Sequence, residues 1–495
     1  MADTSESIEA LDMPPAPEHP SRRWWALAVL GIAQLMVALD VTVMNVALPA
    51  AQHELGFADV DRQWVMTGYA LTFGSLLLLG GRLGDLLGRR RALVIGLLGF
   101  GIASAVGGLA PNFVTLVAAR IGQGLFGALL APAALALVAV TFTDATERAK
   151  AYGLFSAISA IGGAIGLLLG GALTEWASWR WALYINLAFA VVGILGALLT
   201  LPRETPTQRP RLDIPGVLLI SAGLFGVVGG FSRATDHGWG NPVTVGLLCA
   251  GVVLVLAFAA WQARATDPLL PPRVVLDPAR AGSYLAVALI AVGMFAVFLF
   301  FIYYLQTILG YSPLKAGVAF MPMVTTTIVS AAAAVPLLQR IGAKITVALG
   351  FATSAAGMVW LTGAGPDSTY AAHLLPGLTV LGLGIGAVMS VAFQGATAGV
   401  DNRDAGAASA LVNAVMQVGG SLGIAVLTTV ATDATRTYAT THAPSPTLLA
   451  QAQVHGYTTT FWWAACIFLI GGLLVTALIP AFLPKPPAGT PIMAH

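Results

Sequence analysis

Long apolar segments follow one another along almost the whole chain, and their length limits the fold more than any other feature. A helix needs about 20 apolar residues to cross the hydrocarbon core of a bilayer. The segments that reach this length are residues 24–47, 62–81, 91–110, 113–140, 148–174, 180–201, 214–232, 242–262, 281–304, 317–338, 343–363, 371–396, 406–431 and 458–482. They are continuous rather than alternating, unlike the strands of a membrane β-barrel. The sequence therefore predicts an all-α polytopic membrane protein with fourteen transmembrane helices.

Charged residues make up only 9% of the chain, whereas a soluble globular protein carries about 25%. Cys249 and Cys466 both lie within apolar segments, so we expect neither a disulfide framework nor a metal site. Residues 1–21 are acidic and proline-rich and lack the pattern of a signal peptide. We expect them to form a disordered cytoplasmic tail.

Lysine and arginine collect on one side of the predicted membrane, as is typical of cytoplasmic loops. If the N-terminus is cytoplasmic, the opposite side holds only Arg62, Arg180, Arg233, Lys315 and Arg436. We therefore expect a protein of the cell membrane with both termini in the cytoplasm.

Two sequence patterns recur at similar offsets, which indicates an internal duplication. Residues 83–96 align with 337–350, matching Gly88 with Gly342, and residues 158–166 align with 415–423. Duplicated halves around a central site are typical of transporters. The predicted domains are a first six-helix bundle (22–201), an inserted helix pair (202–275), a second six-helix bundle (276–484) and a second cytoplasmic tail (485–495).

Asp40 and Arg120 are the two ionisable residues that lie well inside predicted helices. An ionisable group within a bilayer is costly and indicates function by default. Asp40 is a candidate for proton uptake and release, or a structural carboxylate near the helix end. Arg120 is a fixed positive charge that can tune a nearby acid, or an arginine whose head group reaches the membrane surface. The first repeat offset places Met294 and Leu374 at the corresponding positions, so we expect proton coupling in the first bundle.

Two further motifs admit a structural and a functional interpretation. Gly162, Gly166 and Gly170 form a small-residue ridge in the fifth segment, which predicts either ordinary close packing or a gating seam between the bundles. The loop 81–91 is a basic anchor for topology or, with Asp85 in its turn, a cytoplasmic latch between helices.

Several polar side chains lie within the apolar segments, and each could line a substrate cavity or bond between helices. They are Gln34, Asn45, Gln123, Gln306, Asn413 and Gln417. The chain has no phosphate-binding glycine-lysine loop, and its longest predicted loop spans only about residues 432–457. We therefore expect no enzyme activity, no cofactor or metal, no ATP and no nucleic acid partner. Membrane lipid, protons and a small molecule remain as the expected partners.

These residues resemble the major facilitator superfamily, and within it the fourteen-helix drug:proton antiporters. The likeness covers nearly the whole chain. The stretch 39–49 is similar to the signature of the first helix in that branch, and 120–124 to the fourth-helix motif, whose arginine is implicated in proton coupling. The loop signature matches at Gly81, Gly84, Asp85, Gly88, Arg89 and Arg90.

The fifth segment resembles the antiporter motif, whose pattern is Gly-x8-Gly-x3-Gly-Pro-x2-Gly-Gly. Its glycines match Gly153, Gly162, Gly166, Gly170 and Gly171, while Leu167 stands at the position of the proline. The helix kink that a proline produces is therefore not expected.

The resemblance implies two six-helix bundles and proton-coupled export of an amphipathic small molecule, such as an antibiotic, by alternating access. A superfamily importer or proton symporter for a nutrient is the alternative. A membrane receptor or scaffold without transport is a third hypothesis, but it leaves the two intramembrane charges unexplained.

Overall fold

The computed structural model describes residues 20–59, 61–142, 145–202, 213–266, 268–398, 400 and 405–481. These residues form helices and contain no strand. The helices are α1 (Pro20–Leu55), α2 (Arg62–Leu87), α3 (Arg89–Gly108), α4 (Phe113–Thr141), α5 (Ala145–Trp176), α6 (Trp181–Thr200), α7 (Ile214–His237), α8 (Pro242–Gln262), α9 (Pro272–Val275), α10 (Pro278–Tyr303), α11 (Pro313–Ala319), α12 (Met321–Leu361), α13 (Leu375–Thr397), α14 (Ala405–Thr441) and α15 (Leu448–Leu478). Short π-helical turns, Tyr304–Ile308 and Tyr370–Leu374, extend α10 and precede α13.

Every predicted membrane span falls on one of these helices. Within the described residues, 11 segments are long and apolar enough to cross a membrane. One of them, Pro313–Leu361, contains both the tenth and the eleventh predicted spans, because α12 continues across the kink at Gly342 that lies between them. The second and fifth predicted spans lie on α2 and α5, which are helical over those lengths although they are not among the 11. The all-helical membrane fold is therefore confirmed.

The prediction of a long loop over residues 432–457 is wrong. Helix α14 continues to Thr441 and α15 begins at Leu448, so only residues 442–447 connect them. The extension of α14 is polar, with Thr435, Arg436 and Thr437 among its residues. A search for apolar length detects the part of a helix that crosses lipid and misses a polar continuation beyond it.

The helices pack in two groups. In the first group, α1 packs against α4, α5 and α6, α2 packs against α4, and α3 packs against α4 and α6. In the second group, α10 packs against α13, α14 and α15, and α12 packs against α13 and α15. The pair α7 and α8 pack against each other, and α7 also contacts α2 and α14. The exact domain boundaries stay a prediction.

Contacts between the two groups run through α2 with α14, α5 with α11 and α1 with α10. Successive spans alternate in direction, so the loops after odd-numbered spans lie at the end of the molecule opposite the start of α1. We call this end the distal pole; its loops include residues 56–59, 177–180, 309–312 and 442–447.

Candidate functional site

Asp40 of α1 and Arg120 of α4 form an ion pair inside the first helix group. The Arg120 Nη1 atom lies 2.5 Å from Asp40 Oδ2, and both side chains are completely buried. Removing two charges from water carries a large desolvation cost, which is offset only by close geometry and further hydrogen bonds. The two residues that stand out in the sequence therefore form one buried centre.

Two amide side chains complete the coordination of the carboxylate. Gln123 Nε2 donates to Asp40 Oδ1 over 2.8 Å, and Asn186 Nδ2 of α6 donates to the same oxygen over 2.7 Å. With Arg120, the carboxylate receives donors from two helices besides its own. Hydrogen bonds to a charged group are the stronger kind, at about 1.5–3 kcal/mol each. Both carboxylate oxygens of Asp40 are therefore occupied by donors.

Arg120 is fixed from several sides as well. Its Nη1 donates to Gln123 Oε1 over 2.8 Å, and its Nε donates to the Val65 carbonyl of α2 over 3.1 Å. Its guanidinium carbon lies 4.5 Å from the centroid of the Tyr69 ring. A cation over an aromatic face is stabilised by the ring quadrupole. The arginine thus links α4 to α2 as well as to α1.

Gly124 allows α4 to approach α2 closely enough for Arg120 to pack against the Tyr69 ring. A Cβ atom at Gly124 would lie 2.5 Å from the Tyr69 carbonyl oxygen and 3.0 Å from the Phe73 nitrogen. Small residues permit this close approach of two helix backbones within a membrane. The glycine that follows Gln123 is therefore part of the construction of the site.

Three residues of this site were not among the predicted site residues: Tyr69, Ser104 and Asn186. Ser104 of α3 accepts a hydrogen bond from Gln123 Nε2 over 2.8 Å. Asn186 is the most important of them because it bonds directly to Asp40. Its only signal in the sequence is an amide within the sixth apolar segment, and several other segments carry one too.

The glycine ridge of α5 packs mainly against α1, within the same helix group. A Cβ at Gly162 would meet Leu35 and Ala38, one at Gly166 would meet Thr42, and one at Gly170 would meet Val43. Gly171 instead faces the second group, where a Cβ would lie 2.6 Å from the Leu314 Cα atom. The surroundings of Gly153 lie outside the described residues.

Helix α5 runs unbroken past Leu167, as expected without the motif proline. The Leu167 side chain is fully buried. Its carbonyl oxygen lies against Gly317 of α11, where a Cβ would clash with it. Gly171 and Gly317 thus allow α5 and α11 to cross closely between the two helix groups.

The basic turn between α2 and α3 bends at Gly88, where φ is 87°. Arg90 Nη2 donates to the Leu198 carbonyl of α6 over 2.9 Å, a contact inside the first helix group. Gly81 and Gly84 lie in the last turns of α2, and Arg89 begins α3. The side chain of Asp85 lies outside the described residues, so the latch role of this turn stays a prediction.

The residues predicted to line a substrate cavity are distributed over different environments. Gln123 belongs to the Asp40 site, and Asn45 Nδ2 donates to the Val41 carbonyl of its own helix over 2.9 Å. Gln306 Nε2 donates to the Val46 carbonyl over 3.0 Å, between the two helix groups. The cavity prediction also includes Gln417, which is buried, and Gln34 and Asn413, which are partly buried. Within the described residues, no cluster of His, Cys, Asp and Glu could hold a metal ion.

Comparison with known proteins gives the same family as the sequence motifs. The family model of the Major Facilitator Superfamily matches residues 30–424. A puromycin resistance protein of Streptomyces alboniger is 49% identical, over 92% of this chain and 90% of that protein. A cephamycin export protein of Amycolatopsis lactamdurans is 37% identical, over 94% of each chain. A multidrug efflux pump of Mycolicibacterium smegmatis is 32% identical, over 85% of this chain and 83% of that protein.

Solved structures show a similar fold at low sequence identity. A bacterial homologue of the human lysosomal transporter Spinster, in an inward-facing and unoccupied conformation, matches with a TM-score of 0.66 and 17% identity. The match covers 93% of this chain and 98% of that one. At this identity the likeness concerns the fold alone.

Proposed function

Because the chain belongs to the major facilitator superfamily, we propose that it exports amphipathic small molecules of the antibiotic class in exchange for protons. The three relatives described above are named for drug resistance, drug export or drug efflux. These names support both the direction of transport and the class of substrate. They leave the individual substrate open, and puromycin is the first compound to test because its resistance protein is 49% identical.

The buried ion pair of Asp40 and Arg120 is the observation that carries the proton-coupling part of this proposal. When Asp40 takes up a proton, Arg120 loses its negative partner while its own charge stays buried. The protonated carboxyl can also no longer accept from all three of its donors. Protonation thus changes the relative stability of the packing among α1, α4 and α6, and a change of that kind can shift a conformational equilibrium.

In the proposed cycle, protons reach Asp40 from the distal pole, which we assign to the outside of the cell because of the lysine and arginine distribution. Release on the cytoplasmic side restores the ion pair. The membrane potential contributes about 2.3 kcal/mol per charge per 100 mV to inward proton movement. The two helix groups would move against each other around a central site, as duplicated transporters do.

Accumulation of puromycin in cells that express the chain tests the direction and energy source together. Export predicts lower accumulation than in cells without the chain, and a protonophore should abolish the difference. Raised accumulation would support the importer hypothesis instead. Export that persists after the proton gradient has collapsed would contradict proton coupling.

A further inference from the structure

Arg62, which begins α2, is a second fully buried arginine, and it lies at the distal pole. Only 4% of its surface is exposed. Its guanidinium carbon lies 4.2 Å from the ring centroid of Tyr303, 5.6 Å from that of Phe300 and 5.8 Å from that of Tyr457. We call these three rings the aromatic cage. Their faces replace part of the hydration that the buried cation has lost.

The arginine and its cage belong to different helix groups. Arg62 lies on α2, whereas the cage rings lie on α10 and α15. The carboxylate near Arg62 is that of Asp59, whose Oδ1 lies 3.8 Å from Arg62 Nη1 and whose side chain is 61% exposed. Asp59 lies three residues before the start of α2, so it would move together with Arg62. Separation of the two groups would therefore break the cation–π contacts and leave the ion pair intact.

Gln52 of α1 connects the same residues through hydrogen bonds. The Tyr303 hydroxyl donates to Gln52 Oε1 over 2.5 Å, and Gln52 Nε2 donates to Asp59 Oδ1 over 2.8 Å. Tyr303 thus contacts both Gln52 and Arg62 of the first group. Separation of the two groups would break the Tyr303–Gln52 hydrogen bond together with the cation–π contacts, whereas the Gln52–Asp59 bond lies within the first group and would remain.

Below the cage, α2 and α14 face each other with buried polar side chains. A Cβ at Gly74 of α2 would lie 3.0 Å from Gln417 Cβ of α14. Thr67 and Gln63 precede Gly74 by seven and eleven residues, so they lie on the same face of α2 as Gly74. Ser421 and Thr428 follow Gln417 by four and eleven residues, so they lie on the same face of α14 as Gln417. We call these residues the polar seam: Gln63, Thr67, Gln417, Ser421 and Thr428.

Each residue of the polar seam is buried and has at least one side-chain polar atom without a protein hydrogen-bond partner. Buried polar groups are normally paired, because leaving them unpaired costs free energy. A surface that meets water or a polar substrate in another conformation does not carry this cost there. The polar seam therefore has the properties of a path that is closed in this conformation and lined by polar side chains when it opens.

We propose that Arg62 and the aromatic cage form the gate of the distal pole, and that its opening exposes the polar seam as the exit path for substrate. Cation–π contacts of a desolvated arginine are strong enough to change a conformational equilibrium by about 5- to 30-fold. A change of the equilibrium by this factor favours the closed gate and still allows it to open. The role of the seam as an exit path rests on the proposed export function, whereas the gate itself requires only alternating access and neither a particular drug nor proton coupling.

Thr67→Cys reports opening, because this position is completely buried in the seam. The full chain, with Cys249→Ser and Cys466→Ser to remove its exposed thiols, is reconstituted in lipid vesicles and treated with a membrane-impermeant thiol reagent. We expect Arg62→Gln to raise the labelling rate of this cysteine about 5- to 30-fold. The readout needs no substrate or proton gradient, so its failure would leave the proposed export function standing.

Lys315→Gln is the matched control. The Lys315 ammonium lies 3.7 Å from the centroid of the Tyr311 ring, so this cation–π contact lies at the distal pole but within the second group. The control should leave labelling unchanged. Equal labelling of correctly folded Arg62→Gln and its parent would overturn the proposal, as would a cysteine that stays unreactive in every variant.

Tyr303 provides a second test in case Arg62→Gln does not fold. Tyr303→Leu removes the closest ring, whereas Tyr303→Phe keeps the ring and removes only the hydroxyl that bonds to Gln52. The leucine variant should label faster than the phenylalanine variant. Equal rates would show that the ring face does not hold the gate.

Discussion

Gly88 and Gly342 share an unusual backbone conformation although they lie in different helix groups. Gly88, between α2 and α3, has φ 87° and ψ 131°, and Gly342, at the kink of α12, has φ 83° and ψ 167°. L-residues with a side chain rarely adopt a positive φ, whereas glycine does so readily. The sequence repeat matches these two glycines with each other. Their common conformation supports the duplication and gives the glycines one physical role, which is to turn the chain between consecutive membrane helices.

We expect Gly88→Ala and Gly342→Ala each to destabilise the protein by about 1–3 kcal/mol, because alanine is strained at this backbone conformation. Gly84→Ala is the control, since Gly84 is helical and a Cβ there would meet Ala92 Cβ at an ordinary 3.8 Å. Thermal unfolding of the detergent-purified variants measures the difference. Melting temperatures for the two turn variants equal to that of Gly84→Ala would contradict the account.

Asn186→Ala should weaken proton-coupled export by about 10- to 100-fold, since it removes one hydrogen bond to the buried charge of Asp40. Asn45→Ala is a matched control, because the Asn45 amide bonds to the Val41 carbonyl of its own helix and not to Asp40. Initial rates of drug-driven proton movement in proteoliposomes compare the two variants. Equal rates would remove Asn186 from the proposed coupling site.

Gly171→Ala should hinder closure of the distal pole, because its new methyl group would meet the backbone of α11 at Leu314 and Pro313. Overpacking of this kind costs about 1–3 kcal/mol, and here the closed conformation alone bears that cost. Gly163→Ala is the control, since its Cβ would lie 4.0 Å from the Thr42 methyl group. Thiol labelling of the cysteine at position 67 should rise in Gly171→Ala and not in Gly163→Ala. The opposite pattern would show that this glycine crossing is not part of closure.

The membrane fold was predictable from the sequence because apolar length alone determines which segments can cross a bilayer. Asp40 and Arg120 were recognisable for the same reason, since a charge within an apolar segment is conspicuous. Their pairing was not visible, because it depends on how α1 and α4 pack. Asn186 could not be distinguished from Asn45 in sequence, although the first bonds to Asp40 and the second to its own helix.

The burial of Arg62 could not be predicted from the sequence. Its position at the start of an apolar segment predicts a cation in a loop or at a helix end. The structure places it at that helix end but buries it, because rings from α10 and α15 surround it. The residues next to Arg62 in the sequence give no indication of these rings, which belong to distant segments. Contacts between distant segments have to be read from the packed structure.

In the proposed cycle Asp40 carries the proton that drives export, and drug-driven proton movement in proteoliposomes measures that role. Wild type, Asp40→Asn and Glu54→Gln are compared after addition of drug, with a pH-sensitive dye inside the vesicles. Glu54 is the matched control because it also pairs with an arginine of the first helix group, Arg180, at 2.9 Å, but its side chain is 48% exposed at the distal pole. We expect drug-driven proton movement in wild type and Glu54→Gln and none in Asp40→Asn. Undiminished proton movement in folded Asp40→Asn would contradict it.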